Sequence, residues 1–287
     1  MYASPDRSHR LVTAVLLAVA LLLPAGRAAA GDGAPTPLVI ADVGDCEELL
    51  HILASRFMAE NSDIRIDVRP TAGPAAAVAA VLAGQAGLAR LSRPLTLEEQ
   101  AQGLTELVFA RAPVVFAVNP AVAAPDSLTR EQVAAIFSGG VTDWSRLGGA
   151  PGPIHPVCRQ PVDAARDVVD AAIAEAATTP CQGAFATTSM ARAVDLTAAT
   201  PGAIGLFPKP AVAATKLRIL ALSGVPPTPE NVSRGTYPLS MPLTLVFKMP
   251  LSPAARRFIA ALRLPDGRTA LANYGCLPGP VPHPAPE

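Results

Sequence analysis

An arginine delivered to the start of a helix, with an aspartate four residues on, has two opposite uses. In residues 154–166 a short apolar run ends near Arg159, and Asp163 stands where the next helix should begin. A helix start presents unpaired N–H groups and about half a positive charge, so an arginine beside it makes a place for an anion. An aspartate there does the reverse, because its own carboxylate can cap those N–H groups or pair with the arginine. The same question arises at Asp45, which precedes a helical stretch and has Glu48 three residues on. That is the spacing of a capping box, with Asp in place of Ser or Thr. Other chemistries find no support. GxSxG, GxxxxGK and HExxH are absent, and no Ser/His/Asp set is tied together by spacing. The four histidines (His9, His51, His155, His283) are scattered and no cysteine spacing fits zinc, so neither a metal nor a cofactor is expected.

The elements that must hold these residues alternate between extended and helical periods. LVIAD (38–42) reads as a buried strand, followed by a helix from Cys46 to about Glu60 with Leu49, Leu50, Leu53 and Phe57 at helical spacing. IRIDV (64–68) is a strand, an Ala/Val/Leu helix runs from the Gly73-Pro74 break to Ala83, and 87–91 is a third strand ending at Ser92-Arg93-Pro94. This βαβαβ opening predicts an open, mostly parallel sheet with helices on its faces. A long apolar run, 108–118, interrupted at Pro113, suits a strand crossing between two lobes. Beyond it come helix 128–137, strand 154–157, helices 164–177 and 187–199, and strands 203–207 and 217–222. LTLVFK (243–248) returns the chain to the first lobe, helices 252–263 and 267–274 close the fold, and the proline-rich tail from Pro278 is expected to be disordered. Ligands of such sheets bind beyond the carboxyl ends of the strands, which singles out the turns 42–46, 69–75, 91–95 and 158–166.

The chain has 287 residues, half of them hydrophobic, enough for a sizeable core in one or two lobes. Residues 1–30 read as an export signal: Arg7 and Arg10, a 13-residue apolar stretch at 11–23, then Ala28-Ala29-Ala30. Their removal takes three Arg and one Asp, leaving 20 basic and 22 acidic residues. With no basic run, nucleic acid is not an expected partner. The mature protein is expected outside the cytoplasm, where its four cysteines (Cys46, Cys158, Cys181, Cys276) favour disulfides of three alternative connectivities.

Several tags fall in a telling order. LTREQVAAIFSGGVTDWSRLGG opens the segment 128–166; ARLSRPL (89–95) precedes Glu98-Glu99; TPGAIG (200–205), YPLSMPL (237–243) and DGRTALANYGCLP (266–278) follow. Together they resemble the periplasmic phosphate-binding proteins that serve ABC importers, whose second lobe reads IFSGxIxxWxxLGG, a strand, then RxxxSGT. The resemblance implies a two-lobed α/β periplasmic-binding-protein fold. Lobe one would be 31–113 plus 240–287, lobe two 114–239, with the ligand in the cleft between them. It also implies an extracytoplasmic, non-catalytic solute-binding protein, expected to be a monomer, with an ABC permease as partner.

Carried onto this chain, the family's anion loops fall on Val43, Gly44 and Asp45; on Gly73, before Pro74-Ala75; on Ser92 and Arg93; and on Arg159 with Asp163, Ala164 and Ala165. Of the direct ligands only Ser92, Arg93 and Arg159 match. Val43 and Asp45 displace hydroxyls, Pro74 removes a hydroxyl and an N–H, Asp163-Ala164-Ala165 stand where Ser-Gly-Thr would be, and Gly87 replaces an aspartate. By family the solute is phosphate or another oxyanion. By loop chemistry, with carboxylates where a dianion would sit, a neutral, zwitterionic or cationic solute fits better. The alternative is a non-transport partner or sensor protein whose cleft is self-neutralised. The lobe assignment would pair Cys158 with Cys181 and Cys46 with Cys276.

Overall fold

The computed structural model describes residues 34–159, 163–173, 181–183 and 185–280, all within one unit, Ala34–Glu287. The expected export signal, the end of the helix expected at 164–177 and the last seven residues lie outside the described residues.

The chain opens as β1 (Thr36–Asp42), α1 (Glu47–Glu60), β2 (Ile64–Pro70), α2 (Pro74–Leu82) and β3 (Leu88–Leu91). β1 lies between β2 and β3, parallel to both. The alternation of β1 sends its side chains to two cores. Leu38 and Ile40 join Leu49, Leu50, Leu53 and Phe57 of α1, while Ala41 joins Ala77, Val78 and Val81 of α2. Burying one such Leu or Val side chain is worth roughly 1.5–3 kcal/mol, and this fixes both helices onto opposite faces of the sheet.

After α3 (Leu97–Ala101), β4 (Leu104–Val118) runs for 15 residues. It starts earlier than the apolar run suggested and passes through Pro113 without a break. Pro113 falls where β4 changes neighbours: its register partner Ser240 is the first residue of the antiparallel return strand, and Val114 begins pairing with Pro208. A missing N–H at such an exchange breaks no continuous ladder. β5 (Ser127–Leu128) and α4 (Arg130–Phe137) follow. Leu128 was expected inside the helix; instead Thr129 ends the extended segment as N-cap, its hydroxyl accepting from Gln132 N and Gln132 closing a capping box.

The second set comprises β6 (His155–Arg159), α5 (Ala164–Ala172), β7 (Phe185–Thr187), α6 (Met190–Ala199), β8 (Ala203–Pro208) and α7 (Lys209–Val212). β6 pairs in parallel with β7 and β8. Ser189 caps α6, so the helix starts three residues later than expected, and the residues before it form β7. The expected strand 217–222 divides into β9 (Arg218–Ile219) and β10 (Ala221–Leu222), before α8 (Pro229–Ser233). β11 (Ser240–Lys248) returns against β3 and β4, and α9 (Pro253–Arg263) and α10 (Pro265–Asn273) lead to β12 (Leu277–Pro278). The path of strands is β2-β1-β3-β11-β4-β8-β6-β7. The start of the proline-rich tail is not loose: β12 pairs with β4, and Gly279 N donates to Phe109 O.

In β4, Phe116 and Val118 share a core with Val133 and Ile136 of α4 and Val169 of α5, whereas Val115 and Ala117 meet Met190 and Ala193 of α6. Trp144 is a packing residue, buried with its indole N–H on Gly202 O at 3.0 Å. Cys158 and Cys181 form a disulfide. Cys46 and Cys276 do not, contrary to the pairing expected from the lobes. Both are buried as free thiols among the apolar side chains of the same core, where each acts as a small hydrophobe. Burial raises both thiols, Cys276 to about 12.

Candidate ligand-binding cleft

At the carboxyl ends of β1 and β3 the sequence places Asp42, Asp45, Arg90 and Ser92, and the fold closes them into one buried cluster. The Arg90 guanidinium, 1% exposed, donates through Nε to Asp42 Oδ1 and through Nη1 to Asp45 Oδ1 and to Ser92 Oγ. Asp42 Oδ2 accepts from Gly44 N at 3.0 Å, which folds the loop back on itself with Gly44 at φ 82°. The second loop is attached to the first, because Thr71 Oγ1 donates to Asp42 O and Thr71 N does the same. Burial alone would weaken the hold of Arg90 on its proton. The Asp45 and Asp42 carboxylates overcome that and keep it above the ordinary arginine range.

This overturns one reading of the sequence. Asp45 does not cap α1: Cys46 is the N-cap and no side chain caps that helix. An arginine enclosed in a four-residue buried strand needs counter-charge, and it draws Asp45 inward, away from the helix N–H groups. Arg90 itself was part of a recognised tag but not among the expected site residues. The signal was available: LARL is a strand buried at all four positions, and a charged residue there must be paired.

Across the cleft, Asp163 does both of the things open to it. Its Oδ1 accepts from Ala165 N at 3.1 Å as the N-cap of α5, and from Arg159 Nη1 at 3.2 Å. Arg159 Nη1 also lies 3.7 Å from Met190 Sδ, and its buried Nε has no partner among the described residues. Burial raises the Asp163 carboxyl from its ordinary value against the pull of Arg159 and the Ala165 N–H. The charge of Asp45 adds to that rise, so the first and last loops are brought close enough to interact.

The remaining expected residues divide. Val43 is half-buried against Ala77 and its neighbours, Ala165 is buried and Ala164 partly so. Gly73 is N-cap of α2 at φ 111°, with Pro74 at the helix start, and it offers no side-chain donor. Ser92 has its hydroxyl turned to Arg90. Arg93 is held apart from that cluster: Nη1 and Nη2 bind Glu99 at 2.8 and 2.7 Å, where Glu99 also completes the capping box of α3. A Cβ added at Gly87, where relatives carry aspartate, would come within 3.0 Å of Leu38 Cδ1, so that space is already taken. Three buried carboxylates (Asp42, Asp45, Asp163) thus face two guanidiniums (Arg90, Arg159), and the Ser92 hydroxyl and Ala165 N–H are engaged within the protein, while Arg90 Nη2 and Arg159 Nε have no hydrogen-bond partner among the described residues. Among the described residues no group of acids, histidines and cysteines is arranged to hold a metal.

Comparison with known proteins agrees with this architecture. The family model of the PBP superfamily domain, PBP_like_2, matches residues 30–262. The phosphate-binding protein PstS of Bacillus subtilis is 24% identical over 290 residues, covering 95% of this chain and 95% of that protein. A Clostridium perfringens protein solved with bound phosphate superposes with a TM-score of 0.75 at 22% identity, covering 85% of this chain and 100% of the other. An ABC-type phosphate transport receptor from Vibrio cholerae gives 0.62 at 21% identity, covering 84% and 99%. With its strands crossing between two α/β halves and a family match across most of its length, the chain belongs to the PBP superfamily and has the two-lobed fold of periplasmic phosphate-binding proteins.

Proposed function

We propose that this protein is the exported solute-binding component of a phosphate-type ABC importer, capturing a small solute other than free phosphate in its interlobe cleft. The observation that carries the second half is the internal pairing of both cleft arginines, Arg90 by Asp42 and Asp45 and Arg159 by Asp163. A phosphate dianion would have to displace a buried carboxylate from its arginine and then sit beside it, which costs more than it returns. A neutral, zwitterionic or cationic solute meets no such opposition. Lobe one is 31–113 with 240–287 and lobe two 114–239, with β4 and β11 as the crossing strands, so that closure is a hinge motion about Pro113 and Ser240. The work is binding rather than catalysis, done by a monomer outside the cytoplasm with an ABC permease as partner. Among the described residues no helix is long and apolar enough to cross a membrane.

The same pairing favours a second reading, in which the self-neutralised cleft binds no solute and the protein acts as a partner or sensor. Titration calorimetry on the refolded, ligand-stripped protein separates them. Phosphate is expected to give no heat, while a member of a panel of amino acids, sugars and amines binds. Micromolar phosphate binding would refute the claim about the loops, and silence across the panel would favour the partner reading.

A further inference from the structure

Beside the Asp42–Asp45 turn lies a groove of ≈ 460 Å³, within the range of about 300–1,000 Å³ of small-molecule pockets. Its two walls come from different halves of the chain: the loop and first turns of α1 on one side, α6, α7 and Thr215 on the other. The floor is apolar, with Met190, Val194 and Ala211. Four carboxylates line it, Asp45, Glu47, Glu48 and Asp195, and no lysine or arginine does. The one lining base, His51, has its ring 3.5 Å from Glu47.

We propose that this groove takes a small organic cation with an apolar body, an alkyl- or arylalkylammonium. The inference rests on the reading of the chain as a solute-binding protein and supplies its ligand class. The apolar floor provides the contact that favours a hydrocarbon skeleton over a bare metal or ammonium ion. Glu48 and Asp195 stand on opposite walls, on α1 and α6, so a cation between them draws the two walls together. The starts of α1 and α6 carry partial positive charge, but Glu47 and Glu48 in the first turn of α1 offset it there, and an anion would meet the carboxylates first. Met190 connects the groove to the cleft floor, since its sulfur touches Arg159.

The test is calorimetry of the full mature protein with 2-phenylethylammonium, its neutral analogue 2-phenylethanol, and phosphate. The cation is expected to bind at least about tenfold more tightly than the alcohol, to weaken as salt is raised, and to lose about tenfold or more in Glu48→Gln/Asp195→Asn. Both residues are exposed, so the double variant should keep the unfolding midpoint of the parent; Asp266→Asn, an exposed carboxylate that does not line the groove, should bind as the parent does. Equal binding of cation and alcohol, or a double variant that binds like the parent, would overturn the proposal. So would failure of the cation where an amino acid or sugar of the wider panel binds, which leaves the solute-binding reading standing, whereas tight phosphate binding overturns that reading as well. Silence with every solute overturns both.

Discussion

Arg90 and Arg159 occupy corresponding places, each near the carboxyl end of a parallel-paired strand, yet they are neutralised differently. Arg90 is enclosed by two carboxylates and a serine hydroxyl. Arg159 has one carboxylate, at 3.2 Å, and that carboxylate is shared with the cap of α5. The first arrangement is a closed structural unit that ties β1, its following turn and β3 together. The second is a single ion pair, its aspartate pushed toward protonation by burial; each guanidinium keeps one buried nitrogen without a hydrogen-bond partner among the described residues, Nη2 in Arg90 and Nε in Arg159. The two lobes therefore neutralise their arginines to different degrees, with two carboxylates around Arg90 and one around Arg159.

The largest effect should come from removing the enclosed arginine. Arg90→Met leaves Asp42 and Asp45 buried without counter-charge, a change of the kind that costs about 3–5 kcal/mol. Arg159→Met should cost less, because Asp163 keeps its Ala165 N–H. Urea unfolding of both variants measures the gap. Equal losses would mean that the two clusters are energetically alike, and the comparison would fail.

A smaller change probes the open pair. Asp163→Asn keeps a cap-forming side chain, whereas Asp163→Ala removes it, so Ala should be less stable than Asn by about 0.5–2 kcal/mol. Asp163→Asn also releases Arg159, and phosphate should then produce a calorimetric response absent from the parent. Asp45→Asn should produce none, because Asp42 still holds Arg90. A response from Asp45→Asn alone would reverse the assignment of open and closed sites.

Much of this was legible in the chain, and the misses share a cause. The strand–helix alternation of both halves, the buried stripes of α1 and the capping role of Asp163 follow from local spacing, and local spacing is what a sequence displays. Strands of two or three residues, such as β5, β7 and β10, carry no period of their own and exist because a neighbour supplies the ladder. Asp45 was misread because its partner lies 45 residues away in the chain. Its helix-start spacing was real, but a buried guanidinium is a stronger claimant on a carboxylate than an exposed helix end. Arg93 was legible as a motif residue, yet its side chain goes to Glu99 through a capping box that TLEE (96–99) already spelled out.

The finest test separates a buried carboxyl from a surface one by the sign of its pH dependence. Asp163 is raised from its ordinary value of 3.8, chiefly by burial. Its contribution to stability is then fully present below 3.8 and is lost as pH rises through the raised folded value, because the folded state prefers the protonated form. Glu99 is lowered from 4.5, chiefly by the hydrogen bond from Arg93, so its contribution is present above 4.5 and is lost as pH falls through the lowered folded value. On acidification from neutrality, the stability of the parent relative to Asp163→Asn should rise, and relative to Glu99→Gln it should fall. Gln at 99 preserves the capping box while removing the charge. The Arg93–Glu99 pair is partly exposed, so this second change is the smaller one, no more than about 1 kcal/mol. Thermal unfolding of the three proteins at intervals from neutral pH to just below 4 measures both slopes. Two curves of the same sign would show that Asp163 is solvated like a surface carboxylate, and the distinction between a closed and an open site would then have to rest on Arg90 alone.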